Sequence, residues 1–183
     1  MSAPHLIFLL AAAYLTVFLE AAWGGARHLL GAQIDLLPAL MVYAGLSGGP
    51  VAISLLAFAG GLLFDSISAN PMGISVIPLL AVGFGIHAGR EFILARQFFA
   101  QATLGLAASA VCPAATLILL MSGGHRPLVG WGTFWQLGVM SLAGALASPL
   151  FFRLFSTLDR ALIHRRAPET SFRSDREIRR GRG

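Results

Sequence analysis

Long apolar blocks fill this chain, and short polar breaks separate them. A bilayer's hydrocarbon core is about 30 Å thick, so a helix that crosses it needs roughly 17–25 mostly apolar residues. The first such block runs from Leu6 to Trp23. Its one charge, Glu20, sits near the end, where the side chain is expected to reach the interface. No basic stretch precedes this block and no small-residue cleavage site ends it, so it reads as a retained helix rather than a removed signal. A polar break holding Arg27 and His28 leads to Asp35. From Leu36 to Phe64 the pattern fits one long helix or two short ones. Ser47-Gly48-Gly49-Pro50 favours two, because glycine suits the position just past a helix end and proline the first turn of the next. The expected hairpin covers about 36–48 and 50–65, each near the lower limit for crossing without thinning the bilayer.

Asp65 to Pro71 reads as a turn. The fourth block, Met72 to Ala88, contains Pro78, an expected kink of the kind that membrane helices tolerate when neighbours satisfy the freed carbonyl. A connector from His87 to Gln97 carries Arg90, Glu91 and Arg96. The fifth block, Phe98 to Met121, has a second expected kink at Pro113. A glycine-rich loop then leads to the sixth, Thr133 to Phe155. The pattern therefore predicts an all-α integral membrane protein, with about six transmembrane helices in residues 1–160 and a disordered arginine-rich tail over 161–183.

Composition sharpens this. Hydrophobic residues make up 56% of the 183 and charged residues only 11%, against about 25% in soluble domains; such a surface faces lipid. All 13 basic residues are arginine. Six crossings put both chain ends on one side. That side receives Arg90, Arg96 and every arginine from Arg153 onward, and the opposite side only Arg27 and Arg126. The positive-inside rule then places both termini in the cytoplasm. Trp23, Trp131 and Trp135 on one side, with Phe151, Phe152 and Phe155 on the other, fit interfacial anchoring belts. The tail sets seven arginines against Glu169, Asp175 and Glu177. It is expected to contact anionic lipid, at about 1 kcal/mol per arginine near the surface, with docking on a cytoplasmic partner as the other reading.

Few residues suggest chemistry. Cys112 is the single cysteine, which excludes an intrachain disulfide. There is no lysine, hence no phosphate-binding Gly-x-x-x-x-Gly-Lys loop, and no histidine pair has metal-ligand spacing on one helix. Gly45-Leu46-Ser47-Gly48 matches the Gly-x-Ser-Gly of rhomboid proteases, but those need a histidine from another helix to activate the serine. His87 falls at a helix end, His28 and His125 fall in loops, and the Ala-His-x-x-Gly of that family is missing. Asp35 and Asp65 lie too far apart in sequence for the paired aspartates of membrane alcohol-phosphate transferases. They flank the hairpin and are expected to be solvated separately, the other reading being that they meet at the outer surface and bind a partner's basic group. No cofactor is implied. The most distinctive stretch is Gly60-Gly61-Leu62-Leu63-Phe64-Asp65, followed by Pro71-Met72-Gly73. Small residues let helices approach closely in lipid, and an ionisable residue bordering a span is a functional candidate. Capping of the next helix, or marking of the interface, is the plainer reading of Asp65.

Gly61-x-x-x-Asp65 with Pro71-x-Gly73 opening the next apolar block resembles the signature region of the rod shape-determining MreD family. Ile34-Asp35-Leu36-Leu37-Pro38-Ala39-Leu40-Met41-Val42-Tyr43 is similar to the Pro-Asp-Leu-Leu opening of that family's second helix, with isoleucine before the aspartate and proline after the leucines. The likeness is detailed over about residues 34–88; the arginine-rich tail is not expected of the family in general. The resemblance implies a non-enzymatic scaffold subunit of the cell-elongation machinery in the bacterial inner membrane, serving rod shape and peptidoglycan synthesis. Its implied partners are an MreC-like periplasmic scaffold and, through it, the actin-like MreB filament, RodA and a penicillin-binding transpeptidase; no nucleic acid is implied. Asp35, Gly61, Asp65, Pro71 and Gly73 become the candidate partner-binding or structural residues. The family's fold is similar to the substrate-binding subunits of energy-coupling-factor transporters, which leaves a second expectation open: a subunit that captures a vitamin-type ligand.

Overall fold

Proline and glycine punctuate the apolar chain where the helices change. The computed structural model describes residues 3–22, 31–68, 70–93, 97–124, 127 and 130–164. Six helices run through them: α1 Ala3–Ala22, α2 Leu37–Ser47, α3 Pro50–Ile67, α4 Val76–Gly89, α5 Phe98–Ser122 and α6 Trp131–His164. The hairpin expected from Ser47-Gly48-Gly49-Pro50 is present, with proline in the first turn of both α2 and α3. Its link differs in conformation from the left-handed glycine ending. Gly48 and Gly49 are both extended, and the Gly48 N–H still closes the last turn of α2 onto the Ala44 carbonyl at 2.8 Å.

Four helices are long and apolar enough to cross a membrane: α1, α3, α5 and α6. The other two, α2 and α4, have 11 and 14 residues, about 16 and 21 Å of helix at 1.5 Å per residue. Short length goes with deep burial in α2, whose residues from Leu37 to Gly45 are all buried. A helix that is apolar all round belongs in a protein interior, and α2 touches all five other helices. The other five surround it, each in contact with the next along the series α1, α3, α4, α5, α6, while the backbones of α1 and α6 do not meet. The outer faces of α1 and α6 carry exposed apolar side chains, among them Phe18, Leu142 and Leu146.

Where helices touch most closely, small residues stand between them. A Cβ on Gly105 of α5 would strike the Gly144 carbonyl and Ser148 of α6, and one on Gly144 would strike Ser109. Gly105/Ser109 and Gly144/Ser148 thus form two small-x-x-x-small faces that bring α5 and α6 together. In the same way Gly45 faces Gly83 and Ile86, and Gly83 faces Met41 and Ile53, which seats α4 against α2 and α3.

Three expectations change. The fourth helix begins at Val76 rather than Met72, so Pro78 is its third residue. The N–H groups of a first turn have no intrahelical acceptor, and a proline there breaks nothing. Pro113 does lie inside a helix, which continues through it. Finally, α6 runs to His164, so the first four residues assigned to a disordered tail are helical; residues 165–183, with their arginines, lie outside the described residues. So do Trp23, Arg27, His28, Arg96, His125 and Arg126.

Candidate functional site

Hydrogen bonds sort the bundle into two chemically distinct ends. At one end, the N-terminal turns of α1 and the C-terminal parts of α2, α4 and α6 meet. There His5 Nε2 and Tyr43 Oη share a hydrogen bond of 3.0 Å. The Tyr43 ring stacks on Phe155 at 4.3 Å and meets Phe152 edge-on at 5.1 Å. The rings of His5 and Phe155, 6.2 Å apart, bridge α1 and α6, whose backbones do not touch. His87 Nδ1–H donates to the Gly45 carbonyl at 3.2 Å. Arg90, Arg153 and Arg160 also belong to this aromatic end.

The opposite end holds the acids. Glu20, at the C-terminal end of α1, turns inward: its Oε1 accepts the Leu36 N–H at 2.7 Å. Asp35 Oδ1 accepts the next N–H but one, that of Leu37, at 2.9 Å. Two carboxylates therefore serve backbone donors where α2 begins, a place that favours negative charge because the helix's first N–H groups point outward unpaired. Glu20 Oε2 is buried and has no hydrogen-bond partner among the described residues. Glu20 thus does not reach for the interface: the backbone donor of Leu36 holds it inside.

Asp65, 2% exposed at the end of α3, organises the connection to α4. Its Oδ2 accepts the N–H of Gly73 at 2.8 Å and of Ser75 at 3.1 Å, and its Oδ1 accepts the Ser75 hydroxyl at 2.5 Å. Gly73 has φ +87, a left-handed conformation that disfavours any residue with a Cβ. Gly61, one turn before Asp65, lies under the start of α4: a Cβ there would sit 2.9 Å from Val76 Cγ2 and 3.1 Å from the Val76 backbone. Three of the sequence-predicted residues thus form one lock. Gly61 allows α4 to approach, Gly73 turns the chain, and Asp65 fastens the turn. Pro71 joins the turn through its carbonyl, which accepts the Ile74 N–H at 3.3 Å, and is exposed beside Met72, which is 73% exposed. Asp35 and Asp65 are both buried, which corrects the expectation of separate solvation; backbone N–H groups take the place of water.

Near Asp35 the bundle holds a partly open cavity of about 210 Å³. Gln33, Asp35, Asn70, Ser75 and Gln136 line its polar part, and side chains such as Leu79, Leu117 and Met140 its apolar part. Gln136 closes one side by a two-point bond: its Nε2–H donates to the Gln33 carbonyl at 2.7 Å, and its Oε1 accepts the Gln33 N–H at 3.0 Å. A smaller cavity of about 100 Å³ lies beside it, lined by Glu20, Gln33 and Ser68 among others.

Sequence reasoning missed Ser75, Gln136 and the inward role of Glu20. A polar residue inside an apolar block is the signal that marks Gln136. Ser75, two residues beyond Gly73, carried no such contrast in a turn. The rhomboid-like serine has no catalytic setting among the described residues: Ser47 is exposed at the end of α2, while the His87 ring is engaged by Gly45 and that of His5 by Tyr43. Comparison with known proteins adds no relative: no family model matches the chain, no curated protein matches it, and no solved structure matches it.

Proposed function

We propose that this protein is a membrane scaffold subunit of the bacterial cell-elongation machinery, related to MreD and working by helix packing rather than catalysis. The observation that carries the reading is the lock at Asp65. The residues that make the MreD resemblance, Gly61, Asp65 and Gly73, act together on one connection. A signature built of backbone-bonding and close-approach residues is what a scaffold needs to present a defined surface. The neighbouring Asp35, at the start of the second resembling segment, likewise serves backbone.

In this reading the chain crosses the inner membrane six times with both termini in the cytoplasm. The two short helices, α2 and α4, complete their crossings with non-helical backbone, which a membrane tolerates where protein covers it; α2 is so covered. The aromatic end carries Arg90, Arg153 and Arg160 and faces the cytoplasm by the positive-inside rule, which puts the acid-lined end on the periplasmic side. There Pro71, Met72 and the polar connections offer a surface to an MreC-like periplasmic scaffold, and through it to MreB, RodA and a penicillin-binding transpeptidase. The arginines beyond α6 lie against anionic lipid. The vitamin-transporter reading has less support, because 210 Å³ falls below the roughly 300–1,000 Å³ usual for ligand pockets.

Depletion tests the proposal. Loss of the protein from a rod-shaped host is expected to give wide or rounded cells, restored by the wild-type chain and by Ser47→Ala. Unchanged cell width after full depletion would sink it.

A further inference from the structure

The cavity beside Asp35 combines features that packing alone does not require. Asp35 is 8% exposed and lines it. One of its oxygens, Oδ1, is engaged by the Leu37 N–H; among the described residues no hydrogen-bond donor reaches Oδ2. A buried carboxylate is costly unless it is paired or fully hydrogen-bonded. No cation among the described residues is paired with it, although amide groups of Gln33, Asn70 and Gln136 border the same space. Leu79, Leu117 and Met140 line the same space. The space is thus amphiphilic, with one carboxyl group among its polar lining.

Size narrows the occupant. A dry apolar cavity of about 150 Å³ accommodates benzene, so 210 Å³ takes about eight non-hydrogen atoms by the same proportion. We propose that this cavity is a binding site for a small organic cation: a primary ammonium held by Asp35, on a compact apolar body that packs against Leu79, Leu117 and Met140. The ammonium has three donors, enough to meet Asp35 Oδ2 and carbonyl oxygens at the polar side, and the acid selects it over a neutral or anionic group of the same shape. This inference goes beyond the scaffold proposal and does not depend on it.

Benzylamine, benzyl alcohol and benzoate are matched probes of that size. With the full chain in lipid nanodiscs, ligand-observed NMR or calorimetry is expected to show benzylamine binding about tenfold or more tightly than benzyl alcohol, as a charge-assisted hydrogen bond implies, and benzoate not at all. Asp35→Asn, which keeps the shape of the side chain, is expected to bring the amine-to-alcohol ratio to about one. Met140→Phe, which fills the apolar side and leaves the acid, should weaken both ligands. Ser47→Ala, exposed at the opposite end of α2, should leave the ratio unchanged. Equal binding of amine and alcohol to the wild type, or a ratio that survives Asp35→Asn, overturns the proposal.

Discussion

The two ends of the bundle solve the same problem in opposite ways. Both must terminate helices and cover their exposed backbone groups in a protein with little polar surface to spare. The aromatic end does so with rings: Tyr43, Phe152 and Phe155 pack together, and two imidazoles take up a phenol and a carbonyl. The acid-lined end does so with carboxylates that accept backbone N–H groups at the starts of α2 and α4. Rings fill space and hold by area. Carboxylates hold by direction, and around Asp35 they leave a cavity. The acid-lined end is therefore the more sensitive to single-atom changes and the better suited to recognising something else.

That contrast can be broken at Asp65. Asp65→Ala removes the acceptor of three hydrogen bonds and strands a buried Ser75 beneath the connection. Hydrogen bonds to charged groups contribute about 1.5–3 kcal/mol each without being additive, so a loss of about 3 kcal/mol or more is expected, read as a large drop in thermal unfolding temperature in detergent. A smaller effect belongs to the turn: Gly73→Ala forces a Cβ into φ +87 and should cost about 1 kcal/mol, measured the same way. At the aromatic end, Tyr43→Phe loses the bond to His5 and keeps the stack on Phe155. Its cost should be the smallest, about 0.5–1 kcal/mol. If Tyr43→Phe proved more damaging than Asp65→Ala, the division of labour between the ends would be wrong.

Much of the fold was legible in the chain because lipid imposes a simple rule on it. Apolar blocks and their Gly/Pro breaks located α1, the α2–α3 hairpin and α5 to within a few residues, since each helix begins or ends where the backbone chemistry changes. The fourth helix was started too early because Met72 to Ser75 is apolar enough to pass for helix, yet Asp65 draws the N–H groups of Gly73 and Ser75 into a turn. The sixth was ended too soon because charge was taken as a stop, whereas a helix can leave the bilayer and continue into water. At the site, Gly61, Asp65 and Gly73 stood out by type and spacing. Glu20 did not, because its role depends on Leu36, 16 residues away in sequence, and the small faces of α5 and α6 gain meaning only when Gly105 is set against Gly144.

The proposed scaffold role requires assembly with an MreC-like periplasmic protein. Its most direct test is isolation of the chain at native expression level from rod-shaped host membranes in mild detergent, with mass spectrometry of what accompanies it. An MreC-like protein is expected in stoichiometric amount, lost when the Asp65 lock is broken by Asp65→Ala. Wild-type chain recovered without any such protein, from cells that remain rod-shaped, would contradict it.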